Sequence, residues 1–275
     1  MPACPYQKLY IYEIRGELPL PGQIATGDFL GCWREGDCSY LFFTHKKETI
    51  LKELLGEREA WRYLSETEIN YEDWEAGHPL VPFHIADFYL CPLWEQAQPR
   101  PGEYLIRLDP GVAFGSGFHP TTKLCLRLIH DVYQTAVQPQ VLDLGTGTGI
   151  LSLACIAKGA RSIIAVDHNN LAIETARRNA QHNQVGDRIT LICGDVREHL
   201  AHPADLVLAN IYCALLQEIL SQAEFLNKPW YIFSGLVGAE VNKILTQLKA
   251  SPLEVVQVLD ENLWFAILAR QRTGV

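Results

Sequence analysis

The sequence predicts an α/β protein: a doubly wound, mostly parallel sheet that ends in an antiparallel hairpin, with a small N-terminal α/β unit in front of it. Three observations predict this. From about residue 138, short apolar runs alternate with helical patterns, as a parallel sheet covered on both faces requires. Gly145, Gly147 and Gly149 fall between the first of these runs and a helix. The last two runs, Leu253 to Leu259 and Leu263 to Arg270, follow each other with no helix between them, which makes a closing hairpin.

In the N-terminal unit, Leu9 to Ile14 and Ser39 to Thr44 are strand-like, and the chain from Gly16 to Gly27 is a Pro- and Gly-rich loop. Lys46 to Leu55 has helical spacing, with Ile50, Leu51, Leu54 and Leu55 on one side. Glu66 to Glu75 is acidic and sparsely apolar, which reads as an exposed helix or linker. The expected organisation is a substrate-recognition unit over 1–58, an acidic linker over 59–79 and a main domain over 80–275. In the main domain, Gln140 to Leu144 is a buried strand, Ile150 to Lys158 a helix closed by Gly159, and Ser162 to Val166 a strand ending at Asp167. Leu171 to His182 is a helix with Ala172, Ala176 and Ala180 every four residues, and Ile189 to Cys193 a third strand. Ala204 to Ala209 is a fourth strand, followed by a helix over Tyr212 to Phe225. Trp230 to Phe233 is a fifth, followed by a helix over Val237 to Ala250.

Composition narrows the function. The chain has 275 residues, 48% hydrophobic and 20% charged, enough to bury a full core. No apolar run nears the roughly 20 residues that span a bilayer, and the first residues carry no secretion signal, so no membrane partner and a cytoplasmic location are expected. The eight cysteines are scattered without a C-x-x-C pair, which argues against a metal site and suits small core hydrophobes. A net charge of −9 fits direct nucleic-acid binding poorly and a basic protein tail better.

The chemistry gathers at the strand ends, where doubly wound folds bind ligands. Gly145, Gly147 and Gly149 permit a tight turn that a ligand can approach closely. Asp167, 22 residues after Gly145, ends the next strand, where a carboxylate accepts hydrogen bonds from ribose hydroxyls. Asp195 ends the third strand, within reach of an adenine amino group. Asn210 ends the fourth, where its amide oxygen can hold an acceptor amine, although Asn there also starts turns and caps helices. The glycine spacing is G-x-G-x-G, not the G-x-G-x-x-G of dinucleotide sites, and Asp143 precedes it. A carboxylate there repels a pyrophosphate and attracts the ammonium of a methionine moiety. Charge therefore favours S-adenosyl-L-methionine in a Rossmann-like fold.

Leu108-Asp-Pro-Gly-Val-Ala-Phe-Gly-Ser-Gly-Phe-His-Pro-Thr-Thr122 resembles the signature of the PrmA family, class I S-adenosylmethionine-dependent methyltransferases of large-subunit ribosomal protein eleven. The resemblance continues through Val141 to Leu151, Asp167, Asn210-Ile211, Ser234-Gly235 and Glu261-Asn-Leu-Trp264, with Asp73-Trp74 and Pro92-Leu-Trp94 upstream. It implies a protein methyltransferase acting on lysine or N-terminal amines. It puts Thr122, Gly145, Asp167 and Asn210 at the cofactor and the Phe114 to His119 loop over the active site, where that loop could close and exclude water. Asn210, the Ile211 carbonyl and His119 are the candidate catalytic groups, His119 with an equal claim to capping or packing its turn. The chain departs from the family pattern at Phe118, where threonine is usual, at Tyr212-Cys-Ala-Leu215, where a small residue, Gly and Pro are usual, and in the N-terminal unit. Methylation of another protein or a small amine, and an inactive cofactor-binding regulator, are the alternatives.

Overall fold

The computed structural model describes residues 4–16, 27–47, 49, 51, 61–74, 79–135 and 139–272. The apolar runs of the main domain become a seven-stranded sheet. Its strands are β8 (Gln140–Leu144), β9 (Ser162–Asp167), β10 (Ile189–Cys193), β11 (Leu206–Asn210), β12 (Trp230–Val237), β13 (Leu253–Glu261) and β14 (Trp264–Gln271), in the order β10-β9-β8-β11-β12-β14-β13. The first five run parallel, while β14 is antiparallel to both β12 and β13, as the missing helix requires. β8 and β11 are buried on both faces, hence their unbroken apolar sequences.

Helices cover both faces. α2 (Pro120–Thr135) opens on proline, whose missing N–H costs nothing at a first helical position, and buries Leu124, Leu128 and Val132. α3 (Ile150–Ala157) follows the glycine loop, and α4 (Asn170–His182) is capped by Asn169, whose side chain accepts from the Leu171 N–H. α5 (Cys213–Ile219) ends before the expected Phe225, and α6 (Glu240–Lys249) starts after the expected Val237, because β12 continues to that residue.

The N-terminal region contains more sheet than its sequence announced. β1 (Lys8–Arg15), β2 (Phe29–Glu35), β3 (Cys38–Phe43) and β4 (Arg62–Asn70) form an antiparallel sheet in the order β2-β3-β1-β4. Residues 62–70, read as linker or exposed helix, are thus a strand paired with β1 along its length. Their acidity belongs to its surface: Glu68 pairs with Lys8, and Glu66 with Lys46 at 3.2 Å. A single turn, α1 (Tyr71–Trp74), follows. The expected 46–55 helix and the 16–27 loop fall mostly outside the described residues; Leu51 is buried. A further sheet, β5 (Phe83–Ile85), β6 (Phe88–Pro92) and β7 (Tyr104–Leu108), lies between the two regions in sequence.

The N-terminal sheet shares a core with the main domain. Leu9, Phe42 and Tyr71 pack in one cluster with Val112, Ala113 and Leu171. Hydrogen bonds add to it: the Tyr6 hydroxyl donates to Asp109 at 2.9 Å and the Tyr71 hydroxyl to the Gly111 carbonyl at 2.6 Å.

Candidate active site

The carboxyl ends of β8, β9, β10 and β11 open on a cleft of 750 Å³, large enough for a nucleoside cofactor and an acceptor side chain. Six predicted residues line it: Gly145, Gly147, Asp167, Asp195, Asn210 and Ile211. Trp33, Phe114 and Tyr212 complete its apolar wall.

The floor is the glycine loop. A Cβ on Gly147 would lie 2.3 Å from the Phe114 carbonyl oxygen, and one on Gly145 2.7 Å from the Ile211 side chain. Both residues have positive φ, so a larger residue strains the turn as well as colliding with its neighbours. Gly149 faces Ala176 of α4 instead, where its lack of a side chain lets the helix approach. The segment expected to close over the cleft is stitched to this loop. The Thr148 N–H donates to the Phe114 carbonyl at 3.0 Å and its hydroxyl to the Gly115 carbonyl at 2.7 Å. Fully buried Asn179 donates to the carbonyls of Asp109 and Thr148, both at 3.0 Å.

Asp167 is held by backbone. One oxygen accepts from the Gly147 N–H at 3.0 Å and the other from the Asn169 N–H at 2.9 Å, each keeping a lone pair for a ligand hydroxyl. Asp195 accepts from the backbone N–H of Arg197 at 2.9 Å and from its guanidinium at 2.7 Å, and Arg197 also binds Glu218. The backbone bond and the guanidinium hold its carboxyl below the usual range.

Asp143 is placed differently from the sequence reading. It is 1% exposed, does not line the cleft, and one of its oxygens accepts from the hydroxyls of Thr146 at 2.8 Å and Ser152 at 2.6 Å. Its geometry braces the turn from beneath. Burial pushes its pKa from 3.8 up to about 6 against the lowering of those hydrogen bonds. The folded protein thus keeps a proton on Asp143 at pH values where the unfolded chain has lost it. The associated stability is fully present below about pH 4 and is lost as pH rises through about 6, amounting to roughly 3 kcal/mol. Asp143→Asn keeps an acceptor for both hydroxyls and removes the titration. Its thermal midpoint should fall less than the parent's between pH 4 and pH 7; parallel curves would exclude the effect.

His119, Thr121 and Asn210 form a chain. The Thr121 N–H donates to His119 Nδ1 at 3.3 Å, so Nδ1 is the unprotonated ring nitrogen. The Thr121 hydroxyl, 2.7 Å from Nδ1, therefore donates to it, leaving its oxygen to accept from the Asn210 Nδ2 at 3.3 Å. This directs the amide nitrogen of Asn210 toward α2 and leaves its oxygen for the cleft. Burial lowers the pKa of His119, in keeping with a neutral ring. The ring sits edge-on to Trp264 at 4.7 Å and Phe114 at 5.2 Å, beside the cleft and not among its lining residues. The sequence reading missed Thr121: nothing in two adjacent threonines tells which one faces β11. Thr122 is 1% exposed, and its hydroxyl has no hydrogen-bond partner among the described residues. The Ile211 carbonyl lies against Gly235.

The departures from the family pattern also find places. Phe118 packs on Phe83, ring centres 4.6 Å apart, while Tyr212 is 62% exposed at the cleft. Glu261 in the closing hairpin pairs with Lys123 at 3.6 Å and Arg127 at 3.2 Å, holding that turn on α2.

The family model described as "Ribosomal protein L11 methyltransferase (PrmA)" matches residues 33–272. The chain belongs to this family. The Ribosomal protein L11 methyltransferase of Exiguobacterium sibiricum is 32% identical over 212 residues, 74% of this chain and 66% of that protein. That of Bacillus pumilus is 33% identical over 232 residues, 82% of this chain and 74% of that protein. The match thus spans about two thirds to three quarters of these relatives' length. Among solved structures, the ribosomal protein L11 methylase of Lactobacillus delbrueckii subsp. bulgaricus superposes with a TM-score of 0.63 at 28% identity, covering 70% of this chain and 99% of that one. The β10-β9-β8-β11-β12-β14-β13 order is therefore the methyltransferase sheet of the family.

Proposed function

We propose that this chain transfers the methyl of S-adenosyl-L-methionine to lysine or N-terminal amines of ribosomal protein L11. The observation that carries the reading is the Asn210 amide, held through Thr121 with its oxygen free at the cleft. Family membership and the relatives' names support the substrate. The residues also fit the cofactor: the Gly145–Gly147 cradle and the Asp167 carboxylate offer an approach surface and a ribose acceptor.

When bound, S-adenosylmethionine supplies an electrophilic methyl on a sulfonium. The chain's own task is to present a neutral amine to it. A free lysine is neutral about once in 2,500 at pH 7. Phe114 and Tyr212 present exposed apolar surface that an acceptor entering the cleft would cover, and the desolvation lowers its pKa. Asn210 Oδ1 then accepts an amine hydrogen and aims the lone pair, with the Ile211 carbonyl as a second acceptor. Positioning and desolvation supply the barrier reduction without a strong general base. Incubation with labelled cofactor and a total ribosomal protein extract should label ribosomal protein L11; label on another protein, or none, overturns the reading.

Thr121 separates orientation from packing. Thr121→Val removes the hydroxyl between Asn210 and His119 while keeping the shape, and should lower kcat by roughly 10-fold, about one hydrogen bond's worth. Thr121→Ser should restore most of it. Equal rates for the two variants would mean that the hydroxyl does not set the amide.

A further inference from the structure

Beside the cleft lies a second cavity of 350 Å³, at the lower end of ligand-site sizes. Trp33 and Phe114 line both, so the two adjoin. Trp74 and Asp73 face the second cavity from α1, so the N-terminal region contributes two tryptophans and a carboxylate to it. The main domain contributes Phe114, His119 and the chain between Val112 and Ser116. Among the described residues, no Lys or Arg lines the cavity and no cation pairs with Asp73, whose hydrogen bond comes from the Asn70 amide at 3.0 Å. The one other titratable side chain in the wall, His119, is the neutral ring described above.

The two cavities make opposite demands on an amine. At Asn210 the amine must be neutral, and the two acceptors proposed for it, the Asn210 amide oxygen and the Ile211 carbonyl, carry no charge, although Glu35, Asp167 and Asp195 line other parts of the same cleft. In the second cavity, aromatic faces and an unpaired carboxylate stabilise the charged form, since a cation is attracted by the ring quadrupole and by the opposite charge. The second cavity is thus unsuited to the amine being methylated and suited to one that stays protonated. We infer that it binds the alkylammonium of a second lysine of the protein substrate and sets which neighbouring amine reaches Asn210. The inference rests on the proposed methyl transfer to a protein amine. It gives the N-terminal region a specific part in choosing the substrate.

The test has a readout that needs no turnover. The indole N–H signals of Trp33 and Trp74, assigned with Trp33→Phe and Trp74→Phe, are followed while n-butylammonium chloride is added, with n-butanol as the uncharged control. Saturable shifts with the ammonium, absent with the alcohol and weaker by about 3- to 10-fold in affinity in Asp73→Asn, are expected. No shift, or the same shift with n-butanol, overturns the inference. In the labelling assay, Asp73→Asn should raise KM for ribosomal protein L11 by a similar factor at unchanged kcat; an unchanged KM also overturns it. If the indoles respond and no ribosomal protein is labelled, the proposed function falls and the cation site stands. If labelling succeeds and the indoles do not respond, the cavity inference falls alone.

Discussion

Asn210→Ala is expected to slow single-turnover methyl transfer by about 100- to 1,000-fold, while affinity for S-adenosylhomocysteine stays within a few-fold of the parent. Removing one preorganised polar group aimed at a reacting centre typically costs that much, because nothing else supplies the geometry at the moment of transfer. Here the group is held by a chain that begins at an α2 N-terminus and ends on β11: the Thr121 N–H and hydroxyl on His119, then the Asn210 amide on Thr121. The same chain predicts an acid limb. Burial keeps the pKa of His119 below its ordinary 6.5, so the fall in rate that loss of the neutral amine imposes as pH drops should steepen below that pH. A protonated Nδ1 no longer accepts from Thr121, and the amide loses its fixed orientation. Rapid-quench rates at saturating cofactor measure both effects. A rate within threefold of the parent in Asn210→Ala would reduce this side chain to closing its turn.

Asp167→Ala should weaken S-adenosylhomocysteine binding by roughly 10- to 150-fold, the equivalent of losing hydrogen bonds to a charged group worth about 1.5–3 kcal/mol. The upper end is expected, since the substitution also strips the Gly147 and Asn169 N–H groups of their acceptor and loosens the loop that shapes the cleft. Asp167→Asn, which retains one acceptor oxygen, should lose less. Calorimetric titration of the three proteins decides it. Equal affinities would remove Asp167 from the cofactor site.

The catalytic sheet was legible because its information is local. A parallel strand buried on both faces must be continuously apolar, and a turn that approaches a ligand must contain glycine, so Gln140 to Gly149 announces strand, turn and helix within ten residues. β4 was misread for the complementary reason. Arg62–Asn70 lies at the edge of its sheet with much of its length half-exposed, so its strand pairing with β1 leaves only a weak alternation among charged residues. Asp143 shows a second limit. Its place just before the glycines was evident, but whether its carboxylate turned toward the ligand or into the core depended on Ser152, in the first turn of α3.

By itself, the sequence determined the fold class, the closing hairpin, the family and the strand ends at which Gly145, Asp167, Asp195 and Asn210 stand. These follow from backbone periodicity and from residue types within short spans. Only the tertiary structure decided which way those groups face. Thr121 meets Asn210 across 89 residues, and Trp33 and Asp73 reach a cavity walled by Phe114 and His119, because a shared apolar core seats one sheet against the other. Contacts of that kind depend on packing between distant elements, and packing depends on shape in three dimensions, which no local pattern of residues encodes.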